Sequence, residues 1–320
     1  MFAAQFDRFG PPEVLVVAPF PEPHAGRAQV RIRVRSAGVS PVDLALRAGL
    51  SPAAAHLALP HIPGVDAAGV VDEVGADVTD VAPGDEVFGT VDLARLGGAS
   101  AEHAVLAFWA PKPVSMTWDE AGAAGSSIET ATRALDLLEV DGGTTMIIDG
   151  ASGGVGSVAV QLAIARGARV IGTGSPDNLG FLARLGAIPT TYGEGLAERV
   201  QALGERRIDR ALHVAGAGSL PALIALTTSA ARVVTLKDAT GPTLGVRLSV
   251  GEIGGQAHGR DGLAVAAALS EHGRFRIPLH AAFPLAHAAR AHAFAARGPR
   301  RGKIALTIPV DPEDRLRPLA

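Results

Sequence analysis

The residues best suited by type and spacing to do chemistry are Gly150-Ala151-Ser152-Gly153-Gly154-Val155-Gly156. Glycines at this spacing let a backbone turn sharply and approach a ligand closely. A helix opening at such a turn offers unpaired N–H groups and a partial positive charge, which together cradle a pyrophosphate. The spacing is G-x-x-G-x-x-G rather than the commoner G-x-G-x-x-G. Gly150, Ser152, Gly153, Gly154, Val155 and Gly156 are the candidate contacts. The competing reading is a tight turn that binds nothing, and the strand before it and helix after it argue against that.

A dinucleotide also needs a partner for its adenosine ribose, normally an Asp or Glu at the end of the next strand. Here that end reads Thr173-Gly174-Ser175. A carboxylate about 4 Å from a 2′-phosphate would repel it by roughly 4 kcal/mol per charge pair at an effective dielectric of about 20. The missing carboxylate therefore favours NADPH over NADH, although no Arg or Lys follows at once and Asp177 adds a negative charge. Thr173, Ser175, Asn178 and Tyr192 are the candidate adenosine-side residues. Ser175 before Pro176 also reads as a helix N-cap, and Tyr192, the only Tyr, as a packing aromatic at a strand end.

Other chemistries are narrowed by composition. The chain has no Cys, which removes disulfides, thiolate zinc sites, iron–sulfur clusters and a Cys nucleophile, and fits a reducing, cytoplasmic setting. Its ten His residues are scattered, without paired spacing on one element. A net charge of −3 without a basic block argues against nucleic acid as a partner. The apolar runs are short and broken by Gly, Arg or Asp, so neither a membrane span nor a secretion signal is expected.

The elements that must position these residues follow from periodicity. Residues 1–118 read as short strands punctuated by turns such as Gly10-Pro11-Pro12 and Pro60-His61-Ile62-Pro63-Gly64, a pattern that suits a small, partly closed barrel. Strands are expected at Met1–Phe6, Gln29–Ala37 and Ala68–Val74. From Trp118 the pattern alternates. Strands at Thr144–Asp149, Arg169–Thr173, Ile188–Tyr192, Ala211–Ala215 and Arg232–Leu236 are separated by helical stretches, including Gly153–Arg166. That alternation predicts a parallel sheet with crossover helices. Beyond a Gly-rich bridge, Gly251–Gly262, come a helix at Leu263–Glu271, a strand at Phe275–Ala282, a helix at Leu285–Ala296 and a strand at Lys303–Ile308. The tail Asp311–Ala320 is expected to fray. With 320 residues, two domains are expected: 1–118 covers substrate, 119–256 binds cofactor, and 257–320 returns to the first.

Several motifs in one order carry a family resemblance. They are Ala37-Gly-Val-Ser-Pro-Val-Asp43, Ile62-Pro-Gly64-Val-Asp66-Ala-Ala-Gly69, Gly84-Asp85-Glu-Val-Phe88-Gly89, Ala101-Glu102, Gly150–Gly156 and Gly302-Lys303-Ile304. Together they resemble the quinone oxidoreductase (zeta-crystallin-like) branch of the medium-chain dehydrogenases/reductases over nearly the whole chain. The resemblance implies an α/β architecture, a doubly wound Rossmann domain plus a GroES-like β-barrel domain, often dimerising through a Rossmann edge strand. It adds Val214, Leu236 and Lys303 to the expected cofactor contacts. Zinc-containing relatives place Cys where this chain has Ser40 and His-Glu where it has Val65-Asp66, so no catalytic metal is expected here.

Without a Lewis acid, hydride transfer suits an acceptor that is already activated, such as a quinone or an α,β-unsaturated carbonyl (enone). The candidates to assist the carbonyl oxygen are Ser40, where the family often has Asn, Thr130, which aligns with a family Thr, and Lys237, which follows the strand Arg232–Leu236 in a segment that departs from the family's sequence. The bland readings are a turn Ser before Pro41, helix packing for Thr130, and an exposed Lys237 paired with Asp238. Asp43 reads as structural, holding Arg47 or backbone N–H groups, and His213 as a packed His. The family's tyrosines just after Asp43 are missing. The expected activity is NADPH-dependent quinone or enone reduction by a homodimer. A dedicated enoyl or ketone reductase, a non-catalytic NADPH-binding protein, and a lyase or cyclase on the same fold stand as alternatives.

Overall fold

The structure is a computed structural model, and it describes residues 1–92, 97–204, 207–216, 218–251, 259–297 and 301–309. Two compact units divide the chain. One comprises Met1–Ser126, Arg276–Pro299 and Lys303–Ala320, the other Ser127–Phe275 and Arg300–Gly302.

In the first unit, β1 (Phe2–Gln5) and β2 (Val16–Pro19) form an antiparallel pair. Next come β3 (Val30–Val39), α1 (Pro41–Arg47), β4 (Asp66–Val74), β5 (Glu86–Val91), β6 (His103–Pro111) and α2 (Trp118–Gly122). Along β3, Val30, Ile32 and Val34 are buried while Arg31 and Arg33 are not, which is the alternation of a half-buried strand. β3 pairs with β4, β4 with β5, β5 with β6, and β6 back with β3. This ring is the GroES-like barrel, and Val30, Ile32, Val71, Val87 and Leu106 fill it. β5 and β6 are strands beyond those expected from periodicity.

The second unit starts within α3 (Gly125–Leu137). Then follow β7 (Thr145–Asp149), α4 (Gly154–Ala165), β8 (Arg169–Gly174), α5 (Leu179–Arg184), β9 (Ile188–Thr191) and α6 (Leu196–Ala202). Next are β10 (Arg210–His213), α7 (Leu220–Thr227), β11 (Val233–Thr235), β12 (Arg247–Leu248) and α8 (Gly262–Glu271). The sheet is parallel throughout, in the order β12-β11-β10-β7-β8-β9. That is the doubly wound Rossmann order, which reverses between β7 and β10, so ligands are expected outside the strands' C-terminal ends there. Ile147, Ile171, Ala211 and Val233 on four neighbouring strands are fully buried beneath the helices.

The chain then re-enters the first unit with β13 (Leu279–Pro284), α9 (Ala288–Ala295) and β14 (Lys303–Thr307). β14 pairs with β3, and β13 extends the sheet beyond it. The strand expected at Phe275–Ala282 therefore starts later. Phe275 and Ile277 are buried, which supplied the strand-like pattern, but they join no ladder, and Pro278 has no N–H to give. The tail at 311–320 and most of the Gly-rich bridge lie outside the described residues. Among the described residues, no helix is long and apolar enough to cross a membrane.

Candidate functional site

The glycine loop joins β7 to α4 as the sequence predicts, and its glycines differ in what they do. Gly150 has φ +84°, and a Cβ there would lie 2.8 Å from the Ala215 nitrogen. A Cβ on Gly156 would lie 2.3 Å from the Gly150 carbonyl oxygen. Both positions need glycine for the fold alone. Gly153, the N-cap of α4, has ordinary extended dihedrals, and a Cβ there would meet only the Gly150 oxygen at 3.6 Å. The space beside Gly153 is thus open, and no side chain caps the first turn of α4. A bare helix N-terminus behind an open glycine fits a phosphate group.

Polar groups under the loop hold it in place. Thr173, fully buried at the end of β8, accepts from the Gly150 N–H at 3.0 Å and donates to Asp149 Oδ1 at 2.5 Å. Thr173 therefore shapes the loop, with its hydroxyl already engaged. Across the switch point, His213 is packed as expected: Nδ1 lies 2.9 Å from Thr235 Oγ1 and Nε2 lies 3.0 Å from the Gly216 carbonyl. A carbonyl oxygen can only accept, so Nε2 carries a hydrogen and donates to Gly216. The chain leaves β10 and β11 through Val214 and Leu236, both half-buried, whose N–H groups bond to Asp149 and His213 carbonyls.

On the adenosine side, Ser175 turns the chain into Pro176–Asn178. Asn178 Nδ2 donates to Ser152 Oγ at 3.2 Å, tying this turn to the glycine loop. Arg301 then arrives from the far end of the chain. Its Nε donates to Asn178 Oδ1 at 2.5 Å and its Nη2 to the Asp177 carbonyl at 2.6 Å. Gly302 N–H donates to the Ser152 carbonyl at 2.9 Å, so the short 301–302 stretch is laid along the loop. Among the described residues the Ser175 hydroxyl has no partner. Tyr192 follows β9 and is 55% exposed.

In the first unit, Ser40 is the N-cap of α1. Its N–H donates to Asp43 Oδ2 at 2.7 Å, and Gly64 N–H donates to Asp43 Oδ1 at 3.0 Å. Asp43 thus holds backbone groups and not Arg47, whose Nη1 donates to the Gly10 carbonyl. Burial pushes the Asp43 carboxyl up to about 7, against the pull of those two N–H donors and of Lys303. Lys303 Nζ donates to Ser40 Oγ at 2.9 Å and to Asp66 Oδ2 at 3.0 Å. Asp66 also accepts from the Ser126 N–H at 2.6 Å and the Ser126 hydroxyl at 2.7 Å. Ser40, Asp66 and Lys303 are all buried.

The two remaining candidates differ in their surroundings. Thr130 Oγ1 donates to Glu129 Oε2 at 3.1 Å and accepts from Arg133 Nη2 at 3.4 Å, within a buried network on α3. Lys237 is exposed. The expected Lys237–Asp238 pair does not form, because the Asp238 carboxylate turns to the N–H and hydroxyl of Thr240. Sequence reasoning missed Arg301, Asp149 and Ser126 as site residues. Only the Gly302-Lys303-Ile304 motif, which begins right after Arg301, hinted that this stretch matters. Among the described residues, no group of three or more His, Asp and Glu could hold a metal ion.

This geometry agrees with comparisons to known proteins. The alcohol dehydrogenase GroES-like domain profile matches residues 26–114, and a profile described as zinc-binding dehydrogenase matches residues 185–306. The spectinabilin polyketide synthase system protein NorB of Streptomyces orinoci is 34% identical over 311 residues, which is 92% of this chain and 14% of that protein. The quinone oxidoreductase of Mus musculus is 36% identical over 185 residues, 55% of this chain and 53% of that protein. The sequence match thus spans about half the length of the Mus musculus quinone oxidoreductase, and far less of the polyketide synthase system protein. The structure of the quinone oxidoreductase from Coxiella burnetii superposes with a TM-score of 0.84 at 28% identity, covering 97% of this chain and 99% of that one. The CurK enoyl reductase shares the fold, with a TM-score of 0.82 at 22% identity, covering 96% of this chain and 99% of that one.

Proposed function

From a chain that belongs to the quinone oxidoreductase-like family of medium-chain dehydrogenases/reductases, we propose an NADPH-dependent, metal-independent reductase of quinones or α,β-unsaturated carbonyl compounds. The observation that carries the cofactor reading is the combination of an open Gly153 turn with Arg301 beside the Ser175–Asn178 turn. Gly153, Gly154, Val155 and the start of α4 would hold the pyrophosphate. Ser175 and Arg301 would hold the 2′-phosphate, with Tyr192 near the adenosine. Val214 and Leu236, at the ends of β10 and β11, would line the nicotinamide side. When bound, the cofactor supplies a hydride.

Metal independence rests on the residues present. Ser and Val are poor zinc ligands, and the Lys303 ammonium sits on Ser40 and Asp66, where it repels a second cation. An acceptor with a conjugated carbonyl needs no such ion. The long alignment to a polyketide synthase system protein favours a second form of the same chemistry, the reduction of an enoyl intermediate in a biosynthetic pathway. In either form the working molecule is taken to be a homodimer acting on a small substrate.

The test is to mix the purified protein with NADPH or NADH and a panel of quinones, enones and enoyl thioesters, following the nicotinamide absorbance. Turnover with NADPH favoured is expected. Tight NADPH binding without oxidation across the panel would replace this reading with a non-catalytic one.

A further inference from the structure

The parallel sheet changes character in its last row. Ile147, Ala211 and Val233 lie side by side on β7, β10 and β11, and so do Ile148, Leu212 and Val234. Both rows are apolar. One residue further on, the same registers align Asp149, His213 and Thr235. All three are fully buried, as is Thr173, which bonds to Asp149 from β8. Polar side chains buried where apolar ones would pack cost free energy unless each is bonded. Here the bonds go to the turns by which the chain leaves the sheet.

His213 is the centre of this row. Its Nε2 donates to the Gly216 carbonyl at 3.0 Å, in the turn after β10. Its Nδ1 lies 2.9 Å from Thr235 Oγ1. Thr235 Oγ1 accepts in turn from the N–H groups of Lys237 at 3.3 Å and Asp238 at 3.1 Å, in the turn after β11. One rigid ring thus fixes two turns relative to each other. Asp149 Oδ2, which has no hydrogen-bond partner among the described residues, lies 3.8 Å from Nε2. That distance is too long for a hydrogen bond. The glycine loop is held separately, through Thr173.

The two turns, Val214–Gly216 and Leu236–Asp238, stand on one side of the switch point. The turn after β8, assigned above to the adenosine, stands on the other. With the pyrophosphate at the start of α4 between them, the nicotinamide half falls to the β10 and β11 side.

We infer that His213 is a positioning residue for the nicotinamide half of the dinucleotide, holding the main chain of both turns in the shape that half requires. The inference rests on the cofactor reading above. It also separates the two halves of the ligand, because the adenosine and pyrophosphate contacts do not depend on His213.

The experiment compares the full chain with His213→Leu, His213→Gln and Thr235→Val. Calorimetric titration measures the affinity of each for NADPH and for 2′-phospho-ADP-ribose, which carries the adenosine and pyrophosphate but no nicotinamide. Melting temperatures are recorded alongside. His213→Leu removes both tethers, so its NADPH affinity should fall by about tenfold or more. Its affinity for 2′-phospho-ADP-ribose should stay within about threefold of the unaltered chain. His213→Gln, whose amide reaches as far as Nε2, should recover most of the NADPH loss. Thr235→Val releases the turn after β11 alone; it should give the same pattern, and it carries the comparison if His213→Leu does not fold. A smaller NADPH loss, or one shared equally by both ligands, would overturn the inference and assign the polar row to the fold. So would a Gln variant no better than Leu. An unaltered chain that binds neither ligand would overturn the cofactor reading as well.

Discussion

Arg301 and Asn178, 123 residues apart in the chain, meet at 2.5 Å through Nε and Oδ1. The contact brings a guanidinium to the turn that follows β8, where the local sequence has no cation. A fixed positive charge there is what a ribose 2′-phosphate requires and what a ribose diol does not.

Arg301→Ala should therefore weaken NADPH and leave NADH nearly untouched. A charge-assisted hydrogen bond to phosphate contributes about 1.5–3 kcal/mol, which corresponds to roughly 10- to 150-fold in affinity. Titration of both cofactors by nicotinamide fluorescence measures the ratio. An equal loss for the two would assign Arg301 to holding the Asn178 turn instead.

The loop glycines should separate fold from ligand binding. Gly156→Ala puts a Cβ 2.3 Å from the Gly150 oxygen, so backbone must shift. Such overpacking costs about 1–3 kcal/mol and should lower the melting temperature by several degrees. Gly153→Ala has room, with its nearest neighbour at 3.6 Å. It should melt like the unaltered chain yet bind NADPH at least tenfold more weakly. Normal NADPH binding by Gly153→Ala would move the phosphates away from this turn.

These two residues also show what was legible in the sequence. Gly153 was legible because a phosphate cradle is local: the strand, turn and helix that make it are contiguous, and their periods change where the glycines sit. The same locality exposed the parallel sheet and most of its strands. Arg301 was not legible, because its role depends on a return of the chain beside β8 that no local pattern encodes. Lys303 was attached to the cofactor by family resemblance, whereas its ammonium is bonded to Ser40 and Asp66, partners set by strand register. The strand expected from Phe275 failed for the converse reason. Burial imposed an apolar pattern on residues that make no ladder.

Thr173 links the sheet to the loop, and its hydroxyl both accepts and donates. Thr173→Val keeps the shape but strands the Gly150 N–H and Asp149 Oδ1. A buried unsatisfied group costs about 1–3 kcal/mol, so urea unfolding should show a loss of about 2–4 kcal/mol. Thr173→Ser should recover most of it. If Val were tolerated without loss, the loop would be held by its backbone bonds alone.

Two buried groups of the first unit should pull stability in opposite directions with pH. Asp43 has its carboxyl raised from 3.8 to about 7, chiefly by burial. The folded chain therefore keeps this proton between about pH 4 and 7 while the unfolded chain has lost it. Its stability contribution is full below pH 4 and fades as pH rises to 7, by on the order of 4 kcal/mol. His292 on α9 has its imidazole lowered from 6.5 to about 3, by burial first and then by Arg47. There the unfolded chain takes up the proton first. Its contribution is full above pH 6.5 and fades as pH falls toward 3, by a similar amount. From pH 4 to 6.5 the two slopes oppose each other. Replacing His292 by Leu leaves the Asp43 slope unopposed, so relative to the unaltered chain this variant should gain stability as pH drops from 6.5 to 4.5. Asp43→Asn should do the reverse and lose stability over the same range. Urea unfolding at pH 7, 5.5 and 4.5 gives the differences directly, with all other titrations cancelling. Parallel profiles for the three proteins would mean that neither group changes its protonation on folding.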